Sequence, residues 1–148
     1  MRAQASFDGR PLLDPVAFQE GMARPRRNPR EFVNRNTFAL VIWRGDHAVR
    51  VESLAGDYTD GASIPPIFWP LVGPPLGGLY LRAAVVHDTG YRYNRLGMPR
   101  YWWDRCLLIG MRIDGVKAWR RFAMYRCLRR FGGLAASWRA NGSRLVRA

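Results

Sequence analysis

Four polar side chains in one stretch of the sequence have the types and spacing for acid–base chemistry: His87, Asp88, Tyr91 and Asp104. A neutral histidine can take a proton from water when a carboxylate binds its other ring nitrogen and fixes the tautomer. His87 and Tyr91 are four residues apart and share one face of a predicted helix, whereas Asp88 points about 100° away. Asp104 belongs to the next predicted helix, which a short connection makes an antiparallel neighbour, so Asp104 can return to face His87.

Asp88 is the candidate ligand for a hard cation, with carbonyl oxygens of the preceding loop completing the shell. Asp60, in that loop, is the second candidate metal ligand. An aspartate beside glycine is a turn former first, so the sequence leaves open whether Asp57 or Asp60 binds metal or caps the turn. A cation here would polarise an ester carbonyl and stabilise the oxyanion.

Three other interpretations compete with this one. A buried His–Asp pair with a nearby tyrosine can simply satisfy a helix-packing interface. Zinc is disfavoured because His47 and His87 are the only histidines and the two cysteines, Cys106 and Cys127, lack ligand spacing. A serine nucleophile is disfavoured because Ser63 follows Gly-Ala in a loop without a nucleophile-elbow pattern.

The C-terminal half of the chain must position these groups, and its pattern predicts three helices. We expect them over residues 79–95, 100–113 and 116–131, separated by Gly/Pro and Asp-Gly breaks. In the third, an apolar residue recurs every fourth position and predicts the core-facing stripe: Trp119, Ala123, Cys127 and Phe131.

The N-terminal half predicts a smaller β part. Residues 1–36, rich in proline and arginine, are expected to form an extended, irregular arm. Alternating residues over 36–53 predict a β-hairpin that turns at Arg44-Gly45-Asp46. Residues 57–78 are expected to form a long, ordered, proline-rich loop. The fold class is therefore α+β, mainly helical, with one compact domain over 37–139 and a frayed tail over 140–148.

The charge is unevenly distributed along the 148 residues. Lysine and arginine total 24 against 11 acidic residues, a net charge of +13, and Lys117 is the only lysine. Residues 81–148 hold fourteen arginines, Lys117 and three aspartates, so this half carries +12 of the total. Such a surface favours anionic partners: nucleic acid, acidic lipid or an acidic protein face. No stretch is apolar enough for a membrane span or a signal peptide, and two cysteines give no disulfide framework, which predicts a reducing cytoplasm during synthesis.

Three stretches resemble the signature of a domain family of unknown function that is common in tailed phages and prophages. They are Thr-Asp-Gly-Ala-Ser-Ile-Pro at 59–65, Ala-Ala-Val-Val-His-Asp-Thr-Gly-Tyr at 83–91 and Met-Tyr-Arg-Cys-Leu-Arg-Arg-Phe-Gly at 124–132. Asp104 lies between the last two, as in that signature. The resemblance covers residues 36–135 and implies a phage-encoded protein, but no activity.

A shorter resemblance concerns mechanism. His87-Asp88-x-x-Tyr91 followed by Asp104 is similar to the catalytic helices of phospholipase A₂, including its compact bacterial and parvovirus-capsid forms. The resemblance implies that His87 is the general base, Asp104 its orienting partner, Asp88 a calcium ligand and Tyr91 a supporting hydrogen-bonding residue, with calcium as the cofactor. The glycine-rich calcium loop and the disulfides of the secreted members are not evident in this sequence.

Three functions follow as expectations. The first is a virion-associated protein of tail, neck or capsid that carries a hydrolase-like His–Asp site and binds other phage structural proteins or further copies of itself; it would pass from the host cytoplasm to the virion. The second is an active calcium-dependent phospholipase A₂-like esterase acting on the host envelope. The third is a basic nucleic-acid-binding module. Accessibility of His87 from a cleft separates the enzyme from a purely structural pair.

Overall fold

The computed structural model describes residues 4–15, 32–59 and 79–130. The loop predicted over 57–78 therefore lies outside the described residues from position 60 to 78, and with it Asp60 and Ser63. The predicted tail over 140–148, Phe131 and residues 16–31 of the predicted arm also lie outside them.

The described part of the chain is an α+β fold, as the sequence predicts. Its strands, in chain order, are β1 (Gln4–Asp8), β2 (Leu13–Pro15), β3 (Phe32–Asn34), β4 (Phe38–Arg44), β5 (His47–Ser53) and β6 (Tyr58–Thr59). Its helices are α1 (Leu81–Tyr93), α2 (Arg100–Ile113) and α3 (residues 118–130). None of these helices is long and apolar enough to cross a membrane.

The predicted hairpin is confirmed and forms the centre of the first sheet. β4 and β5 pair antiparallel from Phe38↔Ser53 to Arg44↔His47, with Gly45 in the turn at φ 63°. A positive φ at the first turn residue matches the right-handed twist of the two strands, and glycine adopts it without strain. Alternate residues of β4 enter the core, so Phe38 and Leu40 are fully buried against α1 and α2.

The expectation of an irregular N-terminal arm is wrong where the structure describes that segment. β1 pairs antiparallel with β4 and completes a three-stranded sheet of order β1-β4-β5. The prolines that indicate an arm begin only at Pro11, whereas the partly buried Ala5 and Phe7 alternate with exposed residues. Phe7 packs against the core cluster that the helices share with the sheet. β3 pairs antiparallel with both β2 and β6 in a second small sheet of order β2-β3-β6.

Small residues let α1 and α2 pack closely, and this packing positions the site. The indole of Trp103 lies on Gly90, where a Cβ would stand 2.0 Å from the ring. Towards the other end of the pair, a Cβ on Gly110 would stand 2.7 Å from the Cβ of Ala83. The connection turns at Asn94, which has the left-handed φ of 40° and accepts a hydrogen bond from the indole N–H of Trp103. The helices are therefore antiparallel, with facing residues in a fixed register.

The prediction that Trp119 lies on the core face of the third helix is wrong. α3 instead buries Met124 and Leu128 against α1 and α2, with Val116 from the preceding turn in the same cluster. Trp119 is 53% exposed. The helix is thus rotated so that a stripe one position further along faces the core.

Candidate active site

Asp104 is the point at which the three helices meet, and it is completely buried. The antiparallel return of α2 brings its Oδ1 to 3.1 Å from Nε2 of His87 on α1. This is the juxtaposition that helical spacing and a short connection suggest. His87 itself is 5% exposed, because the apolar residues that precede it on α1 carry it into the core. By the criterion of accessibility, this burial favours the structural interpretation of the pair, whereas its geometry also fits a general base.

Two further donors complete the coordination of the Asp104 carboxylate. The hydroxyl of Tyr91 donates to Oδ1 at 2.5 Å, and Nη1 of Arg129 on α3 donates to Oδ2 at 3.0 Å. Burial by itself raises the pKa of the Asp104 carboxyl, but the hydrogen bonds from His87, Tyr91 and Arg129 outweigh burial and hold that pKa below its ordinary value. Asp104 is therefore a carboxylate at neutral pH.

Tyr91 is held in its donor role by its surroundings. Burial raises the pKa of the Tyr91 phenol well above its usual value, and the hydrogen bond to Asp104 raises it further. Nε of Arg100 donates to the same hydroxyl at 2.8 Å, while Nη2 of Arg100 donates to the carbonyl of Leu128 at 2.5 Å. The ring of Tyr91 also packs on that of His87, with centroids 4.3 Å apart. Tyr91 thus fixes both the carboxylate and the imidazole.

The arginines in this network are what sequence reasoning missed. Helical periodicity alone predicts that Arg129 lies on the polar side of the third helix, where an arginine is usually solvated. The signal in the sequence is the scarcity of acidic residues in this half. Residues 81–148 contain fourteen arginines and three acidic residues, which are Asp88, Asp104 and Asp114. A buried carboxylate needs charged or hydrogen-bonding partners, and in this half those partners are arginines.

Asp88 lies on the neighbouring face of α1, away from the His87–Asp104 pair, and is also buried. Nε of Arg92, one turn along the helix, lies 3.2 Å from its Oδ2. Asp60, the other predicted ligand, lies outside the described residues. Within residues 4–15, 32–59 and 79–130, no three His, Cys, Asp or Glu side chains gather as a metal site would require. Of the two predicted ligands, Asp88 is the one within the described residues, and its carboxylate forms a salt bridge with Arg92.

The arrangement can hold a histidine in one tautomer. With the proton on Nε2, His87 donates to Asp104 and keeps an unprotonated lone pair on Nδ1. No hydrogen-bond partner of Nδ1 occurs in the part of the chain that the structure describes. Such an imidazole can accept a proton from a water molecule, which is the first step of ester hydrolysis by a general base.

Comparison with known proteins places the chain in a family. A family model described as "Protein of unknown function (DUF1353)" matches residues 39–128, and the chain belongs to this family. Two relatives come from Sinorhizobium fredii (strain NBRC 101917 / NGR234). "Uncharacterized protein y4jT" is 39% identical over 77 residues, which are 52% of this chain and 22% of the relative. "Uncharacterized protein y4iH" is 63% identical over 30 residues, which are 20% of this chain and 13% of the relative.

The chain thus matches less than a quarter of the length of each of these two relatives. No solved structure matches it.

Proposed function

We propose that this DUF1353 protein is a hydrolase of the phospholipase A₂ kind, which cleaves an ester of an anionic phospholipid with His87 as general base. The observation that carries the proposal is the contact of His87 Nε2 with a buried carboxylate that two other side chains also engage. A His–Asp pair that only filled a helix interface would need the carboxylate as a partner for the histidine, and no further contacts to the carboxylate. Here the carboxylate on α2 is also fixed by Tyr91 of α1 and Arg129 of α3, and a carboxylate fixed in this way can orient a base for proton transfer.

The chemistry divides between His87 and Asp104. Nδ1 of His87 takes a proton from water as the water oxygen attacks the carbonyl carbon of the ester, giving a tetrahedral oxyanion and an imidazolium. The imidazolium is stabilised by the Asp104 carboxylate, which stays ionised throughout. When the oxyanion collapses and the bond to the alcohol oxygen breaks, His87 returns the proton to that oxygen. The products are a carboxylic acid and an alcohol, and the histidine is neutral again.

A calcium requirement remains a prediction. The cation would supply polarisation of the carbonyl, but the salt bridge of Asp88 to Arg92 argues against that carboxylate as its anchor. An arginine carries the charge that the metal would bring, so the two compete for Asp88. No step above depends on the metal.

The test is release of fatty acid from vesicles of phosphatidylglycerol, with calcium and with chelator. His87→Gln keeps a polar side chain of similar reach but cannot act as the base, and His87→Ala removes it completely. His47→Gln is the matched control, because His47 is the other histidine and lies exposed at the start of β5. Thermal melts establish that each variant is folded.

Release by wild type and His47→Gln, lost in folded His87→Gln, supports the proposal, and the chelator arm decides on calcium. Absence of release from wild type in both arms overturns it. The His87–Asp104 pair would then be structural, and the phage-particle interpretation would take its place. Neither that role, with its phage partners, nor nucleic-acid binding is tested by the contacts described above, and both remain predictions from the sequence.

A further inference from the structure

α3 presents an unusual face to solvent. Trp119 and Phe122 are 53% and 55% exposed, although aromatic side chains of this size are usually mostly buried. Arg126 and Arg130 follow at helical spacing and are also exposed. At about 100° per residue, these four positions fall within about 80° of arc. We call Trp119, Phe122, Arg126 and Arg130 the α3 outer face.

The charge on this face is uncompensated by the fold. Neither Arg126 nor Arg130 has an acidic partner among residues 4–15, 32–59 and 79–130. The carboxylates of this half of the chain are already engaged, Asp88 by Arg92 and Asp104 by Arg129. The guanidinium groups therefore add their full charge to a surface that already carries most of the net +13.

We propose that the α3 outer face is a docking surface for an anionic lipid bilayer. Trp119 and Phe122 would enter the boundary between head groups and acyl chains, while Arg126 and Arg130 bind lipid phosphates along the same face. Arg120 lies with its guanidinium 5.5 Å from the centroid of the Trp119 ring, so a cation accompanies the aromatic end as well. The aromatic pair matches the apolar boundary of a membrane interface, and the arginines match the layer of lipid phosphates.

The geometry favours lipid over the other anionic partners. Single-stranded nucleic acid is bound by a charged groove that tracks its backbone, with aromatic platforms inside it. The α3 outer face is the convex side of a helix and forms no groove. It therefore fits the planar surface of a bilayer better than it fits a strand of nucleic acid. A second copy of the chain would bring its own arginines to the same face, and like charges disfavour that pairing. An anionic bilayer satisfies both the apolar and the cationic positions.

The experiment is co-sedimentation of the full chain with vesicles made from ether-linked phospholipids, so that ester cleavage cannot alter the lipid. One set contains equal parts of phosphatidylglycerol and phosphatidylcholine, and the other phosphatidylcholine alone. Trp119→Ala with Phe122→Ala removes the aromatic pair, and Arg126→Gln with Arg130→Gln removes the two charges. Arg105→Gln with Arg112→Gln is the matched control, because it removes the same charge from exposed positions of α2.

We expect wild type to bind the anionic vesicles and not the neutral ones. Loss of two arginines should weaken binding by roughly 25-fold, since each contributes about fivefold near an anionic surface. The aromatic variant should weaken it at least tenfold, and the α2 control should bind more tightly than either. Equal binding by the α2 control and the Arg126/Arg130 variant would overturn the proposal, as would binding to single-stranded oligonucleotide but not to vesicles.

This surface does not depend on the hydrolase. His87→Gln protein should bind the anionic vesicles as wild type does, because His87 lies in the core. Binding without ester release would therefore remove the proposed activity and leave the docking surface standing.

Discussion

Replacing Asp104 by asparagine separates what this residue does for the fold from what it does for His87. The side chains have the same shape, so the change removes one charge and exchanges one acceptor oxygen for an amide donor. Two orientations of the amide are available. The hydrogen bond from Arg129 favours the orientation with the amide oxygen towards that guanidinium. The NH₂ group then donates to Nε2 of His87 and to the Tyr91 oxygen, and the Tyr91 proton loses the acceptor Oδ1.

That orientation forces His87 into the other tautomer. Nε2 must accept a hydrogen bond from the amide, so the imidazole proton moves to Nδ1, the atom that would otherwise take a proton from water. In a comparable His–Asp pair, an asparagine at this place costs roughly 10⁴-fold in turnover because the tautomer is wrong. We expect Asp104→Asn to lose ester release by roughly 10³–10⁴-fold while it remains folded.

The effect on stability should be smaller. The charge-assisted hydrogen bonds between the carboxylate and His87 and Tyr91 are replaced by neutral hydrogen bonds from the amide, at a cost of about 1 kcal/mol each, or about 2 kcal/mol in total. Arg129 adds little to this sum, because it keeps an acceptor in the amide oxygen and is 42% exposed. For a domain of this size, that is a fall in Tm of about 4–8 °C.

The pH dependence has a definite sign. Because the folded state holds the pKa of Asp104 below its ordinary value, the charge stabilises the fold above about pH 4. This contribution disappears as the pH falls through the lowered pKa. The difference in free energy of unfolding between wild type and Asp104→Asn should therefore be complete at pH 7 and shrink in strong acid.

The tautomer can be read directly, whether or not the protein turns over. The nitrogen chemical shifts of a histidine labelled with ¹⁵N distinguish a proton on Nδ1 from one on Nε2. The chain has only two histidines, and His47→Gln assigns the remaining signal to His87. Wild type should carry the proton on Nε2 and Asp104→Asn on Nδ1. An unchanged tautomer, or ester release at the wild-type rate, would refute the reasoning.

Three further substitutions or reactions test the packing that supports the site. Gly90→Ala should destabilise the protein by about 3 kcal/mol in urea unfolding, because its Cβ would enter the ring of Trp103; an unchanged midpoint would contradict the close helix contact. Arg95→Ala should lower the free energy of unfolding by about 1–2 kcal/mol, since the buried Asp57 carboxylate loses the guanidinium that donates to both of its oxygens. Arg95→Lys should restore only part of this loss, because an ammonium cannot form the bidentate pair. Burial raises the pKa of the Cys106 thiol to about 12, so this thiol should resist thiol reagents at pH 8 until the protein unfolds, and rapid labelling of native protein at this position would show that the core opens.

Much of the architecture is local and could be predicted from the sequence. Alternation over β4 and β5, together with a glycine that accepts positive φ, predicts the hairpin. The second helix begins and ends at the residues expected, because Pro99 and the Asp-Gly pair are strong boundary signals. The contact of His87 with Asp104 also follows from the sequence, since one helical face and one short connection suffice to bring them together.

Contacts between distant segments were decided only by the tertiary structure. β1 is five residues long and becomes a strand because β4 offers it an edge, a pairing that no local pattern specifies. α3 carries two overlapping apolar stripes, one through Trp119 and one through Met124 and Leu128, and helical periodicity is satisfied by either. Packing against α1 and α2 selects the second, and this rotation leaves Trp119 in solvent.

The same rotation explains why the sequence identifies the base and its carboxylate but not the arginine that completes the pair. Arg129 is 25 residues from Asp104, and a long side chain on a basic helix can point in many directions. The sequence determines that a carboxylate buried beside His87 requires compensation, because an isolated buried charge is too costly. Which of the arginines supplies it depends on how α3 packs, since a hydrogen bond of 3.0 Å forms only where the fold brings donor and acceptor together.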